Sequence, residues 1–179
     1  LFFASSSSVY GDSKKLPSKE DSNTDRPISF YAATKKTNEI IAYSYSSIYK
    51  IPITALRFFT VYGPYGRPDM SLYIFFKNII NRKYIKIYNH GKHIRDFTYI
   101  DDAINIIFKL RNKLPKYKEP YQCFNVVNNK PIKMNYYIQK ISKILNINPR
   151  IKYLAIQKGD VKKTHGSNKL LRKKIGTIK

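Results

Sequence analysis

At 179 residues, 42% hydrophobic and 15% aromatic, the chain is long and apolar enough for one folded domain with a sizeable core, which excludes a disordered class. Its charge of +23 suits an anionic ligand, but the lysines are spread along the sequence and the residues of A/T-rich codons, Lys, Asn, Ile and Tyr, abound throughout, so no nucleic-acid partner is expected. No apolar run approaches the roughly 20 residues of a membrane-spanning helix, Leu1-Phe2-Phe3 is too short for a signal-peptide core, and the lone Cys123 excludes an internal disulfide framework and fits a reducing cytoplasm.

Residues 1–4 are apolar and run straight into Ser5-Ser6-Ser7-Ser8, the pattern of a buried parallel strand ending at a polar loop. A parallel strand needs neighbours to bond its backbone, so further strands are expected ahead of Leu1. The seven glycines form no G-x-G-x-x-G phosphate loop, which agrees with a dinucleotide-binding half that lies outside this sequence. Residues 11–29, with Gly, Asp, Ser and Pro, read as a surface loop. Ser29 then caps a helix over 30–49, and Pro52 stands beyond its end. A strand follows at 53–59, and the carboxyl end of such a strand is where open α/β sheets bind ligands. The glycine- and proline-rich turn 63–68 comes next and carries Arg67 toward any ligand there.

Downstream, the pattern predicts a helix over 70–82, a strand at 85–88, and a solvated turn holding His90 and His93, for which no third metal ligand stands nearby. Arg95 leads into Phe97-Thr98-Tyr99-Ile100, and Asp101 or Asp102 caps a helix through about Leu110. A strand at 122–127, with Cys123 as a small buried hydrophobe, precedes a helix near 134–146, a strand at 151–154 and Gln157-Lys158-Gly159-Asp160. Beyond Asp160 the pattern weakens.

The chemistry centres on Tyr31-Ala32-Ala33-Thr34-Lys35. Residues four apart share a helix face, so Tyr31 and Lys35 project side by side. The ammonium favours the phenolate and moves the tyrosine from its ordinary pKa of roughly 10 toward working pH, as a general base requires. A serine hydroxyl from the preceding strand end is placed to bridge that phenolate to a substrate hydroxyl.

Three segments, Phe3-Ala4-Ser5-Ser6-Ser7-Ser8-Val9-Tyr10-Gly11, Tyr31-x-x-x-Lys35 and Arg57-Phe58-Phe59-Thr60-Val61-Tyr62-Gly63-Pro64, resemble the extended short-chain dehydrogenase/reductase family of NAD-dependent nucleotide-sugar epimerases and dehydratases. Within it, Gly63-Pro64-Tyr65-Gly66-Arg67-Pro68-Asp69-Met70 and Arg95-Asp96-Phe97-Thr98-Tyr99-Ile100-Asp101-Asp102 are most similar to UDP-glucuronate 4-epimerases. The resemblance runs from residue 1 to about residue 160. It implies an α/β fold: residues 1–63 as the C-terminal part of a doubly wound Rossmann-type parallel sheet, and 64–179 as mainly a smaller α/β UDP-sugar-binding region.

That family's reaction is at carbon 4 of a UDP-linked sugar, and the resemblance gives Tyr31 the 4-hydroxyl proton while hydride passes to NAD. Lys35 would tune Tyr31 and bond the nicotinamide ribose, with Phe58 and Ser6 also beside the cofactor. Ser6 stands at the family's catalytic Ser/Thr position and Ser8 at that of an alternative threonine, so both serines are candidates. Arg67 is implied to grip the uronate carboxylate, and Phe59, Thr60, Tyr88, Arg95 and Asp160 to border the UDP. The family's Pro-Gly-Asp is Lys158-Gly159-Asp160 here, and a later acidic position is Asn168. The helix over 30–49 resembles the one through which family members form homodimers. Two other readings stay open: a different nucleotide-sugar epimerase or decarboxylase on the same fold, and a noncatalytic basic remnant or nucleic-acid-binding fragment.

Overall fold

The segment Ile53–Phe58, buried along nearly its whole length, forms β2 at the centre of a parallel sheet in the computed structural model, which describes residues 1–177. A strand covered on both faces reads as a continuous apolar run, and here it is broken by one charge, Arg57. β1 (Phe2–Ser6) lies on one side and β6 (Tyr121–Val126) on the other, with Ser5 opposite Arg57, Ser6 opposite Phe58 and Arg57 opposite Asn125. β1 thus runs two residues further than the apolar stretch predicts. The added ladder bonds carry the strand through Ser5 and Ser6.

Against this sheet pack α1 (Phe30–Tyr49) on one side and α3 (Ile100–Arg111) with α5 (Lys169–Ile175) on the other, the latter around Leu56, Ile106, Leu110, Phe124 and Leu171. β3 (Thr60–Tyr62) leaves the first sheet and pairs in parallel with β5 (Ile94–Tyr99), which pairs antiparallel with β7 (Pro131–Lys133). β4 (Tyr84–Ile87) and β8 (Arg150–Tyr153) form a parallel pair. A second core of Phe75, Ile79, Ile85, Ile87, Tyr137 and Ile138 joins that pair to α2 (Ser71–Ile80) and α4 (Met134–Leu145). None of the described helices is long and apolar enough to cross a membrane.

Several local expectations are revised. Asp101 and Asp102 do not cap α3: Tyr99 holds the cap position, and both acids lie in the first turn, where the helix dipole favours them. The 11–29 segment is more than a surface loop, since Ser18 and Thr24 are buried and Ser18 bridges to Gly166. His93 is buried at 2% exposure instead of sitting in a solvated turn. The tail past Asp160 is ordered against the body of the molecule. Ile94 N–H donates to Lys162 O, Thr164 N–H to Ile94 O, Ser18 N–H to His165 O, and Ser167 N–H to Ser18 O. Asn168 Nδ2 donates to Val127 O, and Leu171 is wholly buried.

Candidate active site

Ser29 starts α1 by accepting the Ala32 N–H on its Oγ at 3.1 Å, which sets Tyr31 in the first turn and Lys35 one turn later. Ala32 between them is wholly buried and pins that turn to the sheet. Lys35 Nζ donates to the Ala4 carbonyl at 2.9 Å and lies 5.7 Å from the centre of the Tyr31 ring. The tyrosine stays about half exposed. At the end of β1, Ser6 caps a single 3-10 turn, Ser7–Tyr10. Its Oγ accepts the Ser8 N–H at 3.1 Å and lies 2.9 Å from Ser8 Oγ.

A cavity of about 1190 Å³ opens at the carboxyl ends of β1 and β2. Its wall brings together Ser6, Tyr31, Lys35, Phe58, Phe59, Thr60 and Arg67 from the predicted set, with Tyr62, Tyr65, Tyr73 and Phe76 adding aromatic surface. Ser8 is not on that wall and reaches it only through Ser6. Tyr88, Arg95 and Asp160 are not on it either. Tyr88 begins a short turn after β4. Arg95 Nη2 and Asp160 Oδ1 pair at 2.9 Å, and Arg95 also donates to the carbonyls of Ile94 and Lys162. Burial lowers the Arg95 pKa, and Asp160 acts against that shift. His93 Nε2 is 3.2 Å from Asp160 Oδ2 but is not aligned for a hydrogen bond. Burial, then the Arg95 charge, push its pKa below the ordinary histidine value against the pull of Asp160, so it is neutral at neutral pH.

A buried polar cluster that the sequence motifs do not announce joins β2 to α1 and β1. Arg57 donates from Nε and Nη2 to the two oxygens of Glu39, both at 2.8 Å, and both side chains are buried. Ser5 Oγ donates to Glu39 at 2.5 Å. Arg57 Nη1 donates to Tyr10 Oη at 2.9 Å, and Tyr10 Oη donates to Asn125 Oδ1 at 2.7 Å. Burial pushes the Glu39 carboxyl up, but the Arg57 hydrogen bonds and charge outweigh it and hold the group below its ordinary range. Two signals marked the pair in the sequence. Arg57 is a charge within an otherwise apolar strand, and Glu39 is the sole acid of α1. Asp96 is a second missed group: it has no solvent exposure, accepts Lys130 N–H on Oδ1 at 3.2 Å, and burial pushes its carboxyl up to about 6.

Residues 1–126 match the NAD dependent epimerase/dehydratase family. The chain belongs to that family. Among similar proteins, protein CapI of Staphylococcus aureus is 44% identical over 181 residues, covering 93% of this chain and 54% of that protein. A probable UDP-glucuronate 4-epimerase of Rhizobium meliloti is 38% identical over 186 residues, covering 96% of this chain and 54% of that one. The crystal structure of UDP-glucuronic acid 4-epimerase from Bacillus cereus, in complex with UDP-glucuronic acid and NAD, superposes with a TM-score of 0.89 at 30% identity, over 97% of this chain and 54% of that one. The chain spans about half the length of the curated relatives it matches. As in other members, the parallel strands belong to a Rossmann-type α/β sheet, and the family's cofactor is NAD. The cavity wall offers that cofactor the aromatic ring of Phe58, the hydroxyl of Tyr31 and the ammonium of Lys35, groups whose chemistry suits a flat ring and a ribose.

Proposed function

We propose that this chain carries the catalytic tyrosine and the sugar-binding region of an NAD-dependent UDP-glucuronate 4-epimerase, an isomerase that interconverts UDP-glucuronate and UDP-galacturonate. Its product would serve surface or capsular polysaccharide synthesis, in the cytoplasm where sugar nucleotides are made. The observation that carries the reading is the meeting of Ser6, Tyr31, Lys35 and Arg67 on one cavity wall. The similarity to UDP-glucuronate epimerases supports the choice of sugar. Residues 1–63 then form the cofactor side and 64–179 mainly the sugar side, intertwined through β6.

In this mechanism the Tyr31 oxygen takes the proton of the sugar 4-hydroxyl and returns it after the sugar has turned its other face. Ser6 bridges the two oxygens, with Ser8 holding it in place. Lys35 and Phe58 seat the nicotinamide ribose and ring. NAD, when bound, supplies the acceptor and donor of the electrons that leave and re-enter at carbon 4. Arg67 grips the uronate carboxylate and opposes loss of CO₂ from the β-keto acid stage. Arg95, Asp160 and Tyr88, which lie off the cavity wall, would meet the UDP beyond it, with Phe59 and Thr60 beside its phosphates.

The test starts from the mass of the polypeptide as its cell makes it. A species well above 21.0 kDa is expected to interconvert the two UDP-uronates, and Tyr31→Phe to slow it by about 10²–10⁴-fold, the usual worth of a general base. No turnover is expected from these 179 residues alone, which include no glycine-rich phosphate loop. An intact protein that leaves UDP-glucuronate unchanged would overturn the reading.

A further inference from the structure

A guanidinium has two edges that can each hold a carboxylate in a fork: the side edge of Nε with Nη2, and the end edge of Nη1 with Nη2. In Arg67 the side edge is taken. Nε donates to Asp69 Oδ1 at 3.1 Å and Nη2 to Asp69 Oδ2 at 2.7 Å. Among the described residues Nη1 has no hydrogen-bond partner, and Nη2 reaches beyond Asp69 only in a long contact to Met70 Sδ, so the end edge offers Nη1 to a ligand. Arg67 is on the cavity wall and Asp69 is not, so the acid holds the base from outside the cavity.

The pair closes over two residues. Pro68 between them has a fixed φ, and Met70 N–H donates to Arg67 O at 3.2 Å, which completes the turn. Nη2 also donates to Met70 Sδ at 3.9 Å, a long and weak contact. An exposed arginine without such a partner samples many rotamers, and a ligand must then order it on binding. Here the covalent connection is short, so little extra ordering is needed to keep one edge turned away and the other available. A surface ion pair of this kind adds little to folding stability. Its effect is on orientation.

We propose that Asp69 is a positioning residue that fixes the Arg67 guanidinium with its end edge toward the sugar carboxylate, and so sets the preference for a uronate over a neutral hexose. This rests on the reading of Arg67 as the carboxylate-binding group. The alternative on the same contacts is competition, in which Asp69 occupies the fork that the substrate needs.

Three variants of the intact protein separate these cases: Asp69→Ala, Asp69→Asn and Arg67→Ala, each assayed with UDP-glucuronate and with UDP-glucose, with binding measured by calorimetry in parallel. Asp69→Ala is expected to raise KM and the dissociation constant for UDP-glucuronate by about 10-fold, with kcat changed far less, a loss typical of a displaced orienting group. Asp69→Asn, which keeps one acceptor, is expected to recover part of that loss, and UDP-glucose binding should not move. The loop is exposed, so the melting temperature serves as a control and should stay unchanged. An unchanged or lower UDP-glucuronate KM in Asp69→Ala, with Arg67→Ala still damaging, overturns the positioning role. If Arg67→Ala also leaves uronate binding intact, the assignment of Arg67 falls, and the role of Asp69 falls with it.

Discussion

Asp96 is a carboxylic acid fully out of contact with water, and its chemistry is set by that position more than by its neighbours. Its Oδ2 has no hydrogen-bond partner among the described residues, and burial moves the group from the ordinary 3.8 to about 6. Between those two values the folded chain holds a proton that the unfolded chain has lost. The contribution of Asp96 to stability therefore falls as pH rises from about 4 to about 6, by on the order of 3 kcal/mol. Asp96→Asn is expected to remove that slope, read as the difference in melting temperature between variant and parent across this pH range. The two serines give a second prediction. Ser6→Ala should lower kcat by about 10²-fold, and Ser8→Ala by much less, because the Ser8 hydroxyl bonds Ser6 and is not on the cavity wall. Four identical residues cannot say which one faces a ligand. In the fold β1 runs through Ser6, which turns Ser5 to Glu39 and gives Ser6 the cap of the next turn, an arrangement that follows from strand pairing and not from the serine run itself.

At the scale of elements, α1 and β2 are joined by charge as well as by apolar contact. Glu39→Ala leaves Arg57 buried without its counter-charge and is expected to destabilise the fold by about 3–5 kcal/mol. The double variant Glu39→Leu/Arg57→Leu should recover much of that loss in chemical denaturation. α1 itself was legible to the residue, since Ser29 caps it and nothing interrupts its pattern before the left-handed Lys50. Its outward Ile41, Tyr45 and Ile48, at four- and three-residue spacing, are exposed. If the homodimer implied by the family resemblance forms through this helix, Ile41→Glu is expected to shift the sedimentation of the full-length protein toward monomer. β7 was missed for the opposite reason. Three residues beginning at a proline carry no alternation, and their pairing with β5 comes wholly from tertiary contact.

Across the whole molecule, residues 160–168 tie together parts of the chain that are distant in sequence: Ser18, β5, Asn125 and Val127. This strap was unreadable because it works through backbone bonds and buried polar side chains, leaving no hydrophobic period to follow. Gly166 lies flat under the Phe59 ring, where a Cβ would overlap it. Gly166→Ala is expected to cost about 1–3 kcal/mol of stability and to weaken ligand binding as well, since Phe59 is part of the cavity wall. The same arrangement has a consequence for synthesis. Tyr31, Lys35 and Phe59 leave the ribosome ahead of the segment that backs Phe59, which is translated more than a hundred residues later. A nascent chain thus holds the side chains proposed for catalysis before it holds the surface that shapes them, and any message cut short ahead of the Gly166 codon makes a protein with those residues and no settled pocket.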